Sequence, residues 1–263
     1  MINHKFLTAA LIFTSLPASN ATLPRGFLKD VKNVSSNTIV KNLPIQQPLQ
    51  IKMPSEGAPR KRKGGGARNP VCDVQPSLTA LIPLRGLGLT HKSREFWFYV
   101  PYQASTGYSA EFQLQDNSET ENKIYSKTFK FENTPGIINI PLPRDIKLDS
   151  NKFYKWQLSV IVNPQDRNDD CFVSGGVKQV PLPPDVSNKL KMAKTPRERI
   201  AIYAENALWH DVLSNLIELR RQNPDNETLK SDWNDLLKHR LVRLEDIVSK
   251  PIVSCCESEP EPQ

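Results

Sequence analysis

No stretch of this 263-residue chain approaches the roughly 20 consecutive apolar residues that a spanning helix needs, so no transmembrane span is expected. Equally missing are G-x-S-x-G, H-E-x-x-H and C-x-x-C, spacings that would place a nucleophile, a zinc pair or a redox pair. The phosphate-cradling spacing G-x-x-x-x-G-K-[ST] is also absent. With four histidines and four cysteines in the whole chain, no cofactor or metal is expected. The net charge of +7 sits in the wrong place for a nucleic-acid surface. Residues 22–71 hold ten Lys and Arg against two Asp and Glu, whereas residues 72–263 hold 24 against 26. The part rich in core-forming residues thus has no field to steer it onto phosphates, and nucleic acid is not an expected partner.

What is present begins with "MINHKFLTAALIFTSLPASNA". Lys5, the short apolar run Phe6 to Leu16, the break at Pro17 and the small residues Ser19 and Ala21 read as a secretory signal peptide over residues 1–21, cleaved after Ala21. A periplasmic or extracellular location follows. Residues 22–71 show neither a helical nor a strand period and are rich in Pro, Asn, Ser, Gln and Lys. Such a segment is expected to be a disordered basic linker, because it has little apolar surface to offset ordering entropy. Its "RKRKGGGAR" is a solvated tether, or a weak electrostatic contact with acidic lipid or polysaccharide.

Residues 72–182 change texture. In "EFWFYV" Phe96, Phe98 and Val100 share one face, and Trp97 and Tyr99 the other. Ala110, Phe112 and Leu114 alternate with Glu111, Gln113 and Gln115; Tyr154, Trp156, Leu158, Val160 and Val162 form a stripe. About seven such runs separated by turn residues predict an antiparallel, immunoglobulin-like β-sandwich with Trp156 in its core.

From "PPDVSNKL" the period becomes helical. Thr195, Pro196 and Glu198 open a helix as N-cap, first helical residue and capping-box partner. Trp209, Val212, Leu213, Leu216, Ile217 and Leu219, then Leu229, Trp233, Leu236 and Leu237, recur at helical spacing. The fold class is therefore α+β, a sandwich followed by a small helical hairpin unit over residues 185–250. A single hairpin has more large apolar groups than it can cover, so it must pack on the sandwich or on a partner. Residues 251–263 read as a flexible acidic tail.

"VNPQDRNDDCFVSGGV" aligns Asp166, Asn168 and Asp170 with the first calcium-loop ligands. Cys171 then replaces the required Gly and Val177 the required Glu, so a hairpin turn is the better reading. Gly175 and Gly176 in the second strand suggest a bulge or a close backbone approach. Cys72 and Cys171 are the disulfide candidate, with free thiols as the alternative. Cys255 and Cys256 are poorly placed for the core.

The ordered series "GAPRKRKGGGARNPVC", "LTALIPLRGLGLT", "EFWFYVPY", "AEFQLQD", "TPGIINIPLP", "YKWQLSVIVNPQDR" and "TPRERIAIYAENALWHDVLSNLIELR" resembles the cyanobacterial domain-of-unknown-function family 928, from about Gly57 to Leu237. The resemblance implies a bacterial exported protein and carries no functional residue with it. It also implies a cysteine near the end of the "SVIV" strand, where this chain has Val162 and instead places Cys171 across the hairpin. That leaves the disulfide partner open.

The expected function is an exported non-enzymatic interaction module whose partner is an unknown protein or envelope component. The alternative is an unrecognised hydrolase built from His210, His239, Asp211 and the hairpin carboxylates. His210, beside Trp209 at a helix start, is expected to be solvated. His239 lies in a basic "KHR" at a helix end, where a cation suits the dipole.

Overall fold

Strand alternation and helical spacing resolve into two β-sheets and four α-helices in the computed structural model, which describes residues 47–64, 69–116 and 122–256. The protein is α+β. The signal-peptide reading of residues 1–21, residues 22–46 and 65–68 of the basic segment, and the acidic residues 257–263 lie outside the described residues.

The strands are β1 (Thr79–Ala80), β2 (Leu87–Thr90), β3 (Glu95–Val100), β4 (Ser109–Asp116), β5 (Lys123–Lys130), β6 (Gly136–Pro141), β7 (Phe153–Ile161) and β8 (Cys171–Gln179). They form a three-stranded sheet of order β1-β3-β6 and a five-stranded sheet of order β2-β8-β7-β4-β5. The helices are α1 (Pro184–Met192), α2 (Pro196–Glu205), α3 (Trp209–Gln222) and α4 (Glu227–Lys238). Thr195 caps α2 by accepting from the Glu198 N–H, and the Glu198 carboxylate accepts from the Lys194 N–H, 2.6 Å away.

The parity of β3 decides the layering. Phe96, Phe98 and Val100 join Phe112, Leu114, Trp156, Leu158 and Val173 in a core between the sheets. Trp156 sits edge-on to Phe96 and Phe98 with ring centres 6.0 and 5.5 Å away. Trp97 and Tyr99 point the other way and join Trp209, Leu213, Leu216, Trp233 and Leu237 in a second core beneath the helices. The helices therefore cover the outer side of the three-stranded sheet. Burial of each such large side chain contributes about 1.5–3 kcal/mol, which holds helices and sheets together.

Three expectations need correction. First, the sheets are not wholly antiparallel, because β2 runs parallel to β8, from Leu87 opposite Gly176 to Thr90 opposite Gln179. After β1 the chain crosses from one sheet to the other through Gly86, whose φ of 78° suits only glycine without strain, and its carbonyl accepts from the Gly176 N–H at 2.8 Å.

Second, residues 47–64 of the expected disordered linker lie along the folded body as an extended strap. Leu49 is buried, and Ile51 and Met53 pack against the helical core. The Lys52 N–H donates to the Ala204 carbonyl at 2.9 Å. Lys61 bridges to Ser174 on β8 and Lys63 to Thr79 on β1, so the strap touches both sheets. The Arg62 guanidinium donates to the Val242 and Arg243 carbonyls. Averaged composition concealed the alternation of Leu49, Ile51 and Met53, enough apolar surface to anchor a backbone that also finds hydrogen-bond partners.

Third, the first residues of the expected flexible tail are attached. Ile252 bridges to Ile137, and the Val253 N–H donates to the Ile137 carbonyl at 2.9 Å. Cys256 is buried at the margin of the inter-sheet core and is joined to Cys255. The disulfide Cys72–Cys171 ties the turn before β1 to the start of β8 across 99 residues.

Candidate functional site

The residues proposed for hydrolysis are committed elsewhere. His210 is 2% exposed rather than solvated, with Nδ1 3.2 Å from the Glu95 carbonyl and its ring 5.3 Å from Phe96. Burial drives its pKa down to about 4, against smaller opposing effects of Asp211 and the Glu95 carbonyl, so the imidazole is neutral. Its reversed burial has a simple cause. The first turn of α3 is wedged between β2 and β3, and Gly88 has no side chain there, leaving room for the ring.

Asp211 is 1% exposed. Its carboxylate accepts from the backbone N–H groups of His91, Lys92 and Ser93 at 2.6, 2.9 and 3.0 Å, and from the Thr90 hydroxyl at 3.2 Å. It closes the β2–β3 turn and pins α3 to it. His239 accepts from the Leu241 N–H at Nδ1, 3.2 Å away. Burial and the neighbouring Arg240 lower its pKa, which opposes the expected cation at the helix end.

The hairpin of the calcium-like spacing is a turn between antiparallel β7 and β8. Asn163 Oδ1 accepts from the Gln165 N–H and Asp166 Oδ1 from the Asn168 N–H, both at 3.0 Å. Arg167 holds Asp170 at 2.6 Å and Glu111 at 3.0 Å. Burial raises the pKa of Asp170, partly offset by Arg167. Burial also works to raise that of Glu111, but hydrogen bonds from Gln113, Arg167 and Ser126 outweigh it and leave the carboxyl below its ordinary value. Among the described residues no group of three His, Cys, Asp or Glu side chains is arranged to hold a metal ion.

A broad row of accessible polar side chains lies on the other side of the molecule. The helices cover one sheet, while the outer face of β4, β7 and β8 carries polar side chains at the alternate positions. Their register aligns Gln113 with Gln157 and Gln157 with Ser174; one step along, Glu111 faces Ser159 and Ser159 faces Phe172. Ser126 of β5 extends the first row on one side and Lys61 of the strap on the other. Five positions spaced by the inter-strand distance span about 19 Å.

Two shallow hollows lie end to end along this face and share Gln113, Gln157 and Phe172. One, of about 340 Å³, includes Arg60, Lys61, Gln115, Lys155 and Ser174. The other, of about 390 Å³, includes Glu111, Ser159, Arg167, Asn168 and Asp170. The Lys61 ammonium stands 3.9 Å over the Phe172 ring. Gly176 lets Ala58 and Phe153 approach the backbone, and Gly175 does the same for Trp156 on the inner side. The two glycines therefore serve close approach. Sequence reasoning marked Arg60 and Lys61 within "RKRKGGGAR" and Asn168 and Asp170 in the hairpin, but assigned no role to Gln157 or Phe172, and noted Gln113 and Gln115 only as the polar partners of Phe112 and Leu114.

The family model for a Domain of Unknown Function, DUF928, matches residues 63–252, well over half of the chain. The chain belongs to the DUF928 family. The DUF928 match takes in all eight strands, all four helices and both Cys72 and Cys171; Arg60 and Lys61 of the strap precede it. No curated protein matches the sequence.

Proposed function

We propose that this protein is an exported, non-enzymatic interaction module of cyanobacterial origin that holds an envelope component against the outer face of its five-stranded sheet. The observation that carries this reading is the continuous polar face of β4, β7 and β8, with amides and hydroxyls in register and one aromatic ring beneath a fixed cation. Amide side chains offer donors and acceptors together, as a recognition surface requires. Export is supported by the signal-like residues 1–21, and an oxidising compartment suits the Cys72–Cys171 bridge. An immunoglobulin-like order belongs to the same proposal: β3 and β6 pair in one sheet, β4, β7 and β8 in the other, as in sandwiches that present binding surfaces.

The hydrolase alternative is disfavoured because His210 and Asp211 are buried, the Asp211 carboxylate bonded to the β2–β3 turn and His210 Nδ1 set against the Glu95 carbonyl. The test is retention of the mature protein on the envelope fraction of its own cells, compared with a Gln113→Ala/Gln157→Ala variant of unchanged melting temperature. Release of the variant supports the reading. Equal retention removes the sheet face as the site.

A further inference from the structure

The two hollows of the sheet face differ in charge. At the hairpin end the carboxylates of Glu111 and Asp170 are each paired with Arg167, at 3.0 and 2.6 Å. At the strap end the hollow is lined by cations and by no carboxylate. Glu56, the nearby acid on the strap, is paired with Lys178 at 3.2 Å. Arg60 is exposed there, and Lys61 is fixed by its backbone pairing with Ser174 and by its ammonium over Phe172. A cation held in place over an aromatic ring, beside amides in register, loses little side-chain entropy when an anion arrives.

The occupant can be narrowed by what the surface lacks. Among the described residues the exposed large hydrophobics are Val74 and Met192, and neither lines this face. An acyl-chain membrane anchor or a protein hot spot needs an apolar anchor of that kind. A nucleic-acid strand needs a series of stacking rings and cations along the backbone, whereas here Phe172 is the one outward ring lining the hollows, Phe153 lies against Gly176 and Ala58, and carboxylates occupy the far end. Neutral amides and hydroxyls over about 19 Å, with positive charge at one end, suit a chain of hydroxyl-bearing units that carries negative charges.

We infer that the strap-side half of the sheet face binds an acidic polysaccharide, its hydroxyls bonded by Gln113 and Gln157 and its carboxylate or sulfate groups drawn to Arg60 and Lys61. This rests on the reading of the sheet face as the interaction site. It also gives the basic segment a specific task, since the strap brings its first cations to the edge of that face.

The experiment is affinity electrophoresis and calorimetry of the mature protein with polygalacturonate. Dextran serves as the neutral comparison and phosphatidylglycerol vesicles as the anionic surface without sugar polymer. Polygalacturonate should bind, and dextran at least about tenfold more weakly, since charge contributes alongside the hydroxyl contacts. Arg60→Glu/Lys61→Glu should weaken polygalacturonate binding at least about tenfold, because it sets like charges against the ligand. A charge-matched variant on α1, Lys189→Glu/Lys191→Glu, should leave it within about twofold, since neither lysine lines the sheet face and distant exposed charges are screened. Equal losses in the two variants would overturn the inference in favour of unspecific attraction by the chain's net positive charge. Vesicle binding abolished by Arg60→Glu/Lys61→Glu, with no polygalacturonate binding, would overturn it in favour of a lipid surface. If polygalacturonate fails to bind while envelope retention still depends on Gln113 and Gln157, the ligand class is wrong and the site stands. If retention does not depend on them either, the site itself is wrong.

Discussion

Replacing Asp211 by alanine should destabilise the sheets and the helices together. The carboxylate is 1% exposed and accepts four hydrogen bonds from residues 90–93, three of them from backbone N–H groups at 2.6–3.0 Å. Bonds to a charged acceptor contribute about 1.5–3 kcal/mol each when taken singly. They are not additive, and the exposed Lys92 can recruit water for its freed N–H. The net loss should therefore resemble that of breaking one buried polar constellation, about 3–5 kcal/mol. That is a large share of the roughly 5–15 kcal/mol by which a folded domain is usually stable. The assay is urea unfolding followed by far-ultraviolet circular dichroism, weighted to α1–α4, and by tryptophan fluorescence, which includes Trp156 between the sheets. Both midpoints should fall by the same amount. A loss under about 1 kcal/mol would refute the assigned role of the carboxylate, and a shift confined to the helical signal would refute the shared seam.

His210 supplies a pH dependence of definite sign. Its folded pKa of about 4 lies below the ordinary 6.5, so the unfolded chain takes up the proton first. Stability from the neutral imidazole is complete above about pH 6.5 and is lost as pH falls through 4, by about 3 kcal/mol in all; denaturant titrations at several pH values should show this slope, and His210→Leu should lack it. Gly88→Ala should cost about 1–3 kcal/mol in thermal unfolding because the added methyl meets the His210 ring. Cys72→Ser/Cys171→Ser should lower chemical stability by about 4–5 kcal/mol, the chain-entropy figure for a bridge spanning 99 residues. Intact mass of the exported protein should correspond to a start at Thr22, and a mature species retaining Met1 would defeat the signal-peptide reading.

The parts legible in the sequence were those with a local period. Phe96, Phe98 and Val100 against Trp97 and Tyr99 announced two buried faces on one strand, and the structure uses both, one for each core. Thr195 and Glu198 marked a helix start that the hydrogen bonds bear out. The parallel pairing of β2 with β8 joins segments almost 90 residues apart, and nothing local encodes it. His210 misled for a related reason. Its neighbours in sequence describe only one side of the helix, whereas the groups that bury it come from β2 and β3. Asp211 entered the sequence reading only as a hydrolase candidate, and its partners are backbone N–H groups that no side-chain pattern reports. The strap was hidden by brevity, with three alternating apolar residues among many polar ones. The candidate face was visible only as the complement of the core: each Gln at an outward position is unremarkable alone, and becomes a site only when register aligns it with its neighbours on adjacent strands.

Hydrogen–deuterium exchange of the mature protein, with and without its envelope fraction, tests the central claim most directly. The account predicts added protection in residues 111–115, 155–159 and 172–174, together with the strap around 59–63, and little change in α3 and α4. Protection confined to the helices, with the sheet face unaltered, would contradict it and transfer the binding surface to the opposite side of the molecule.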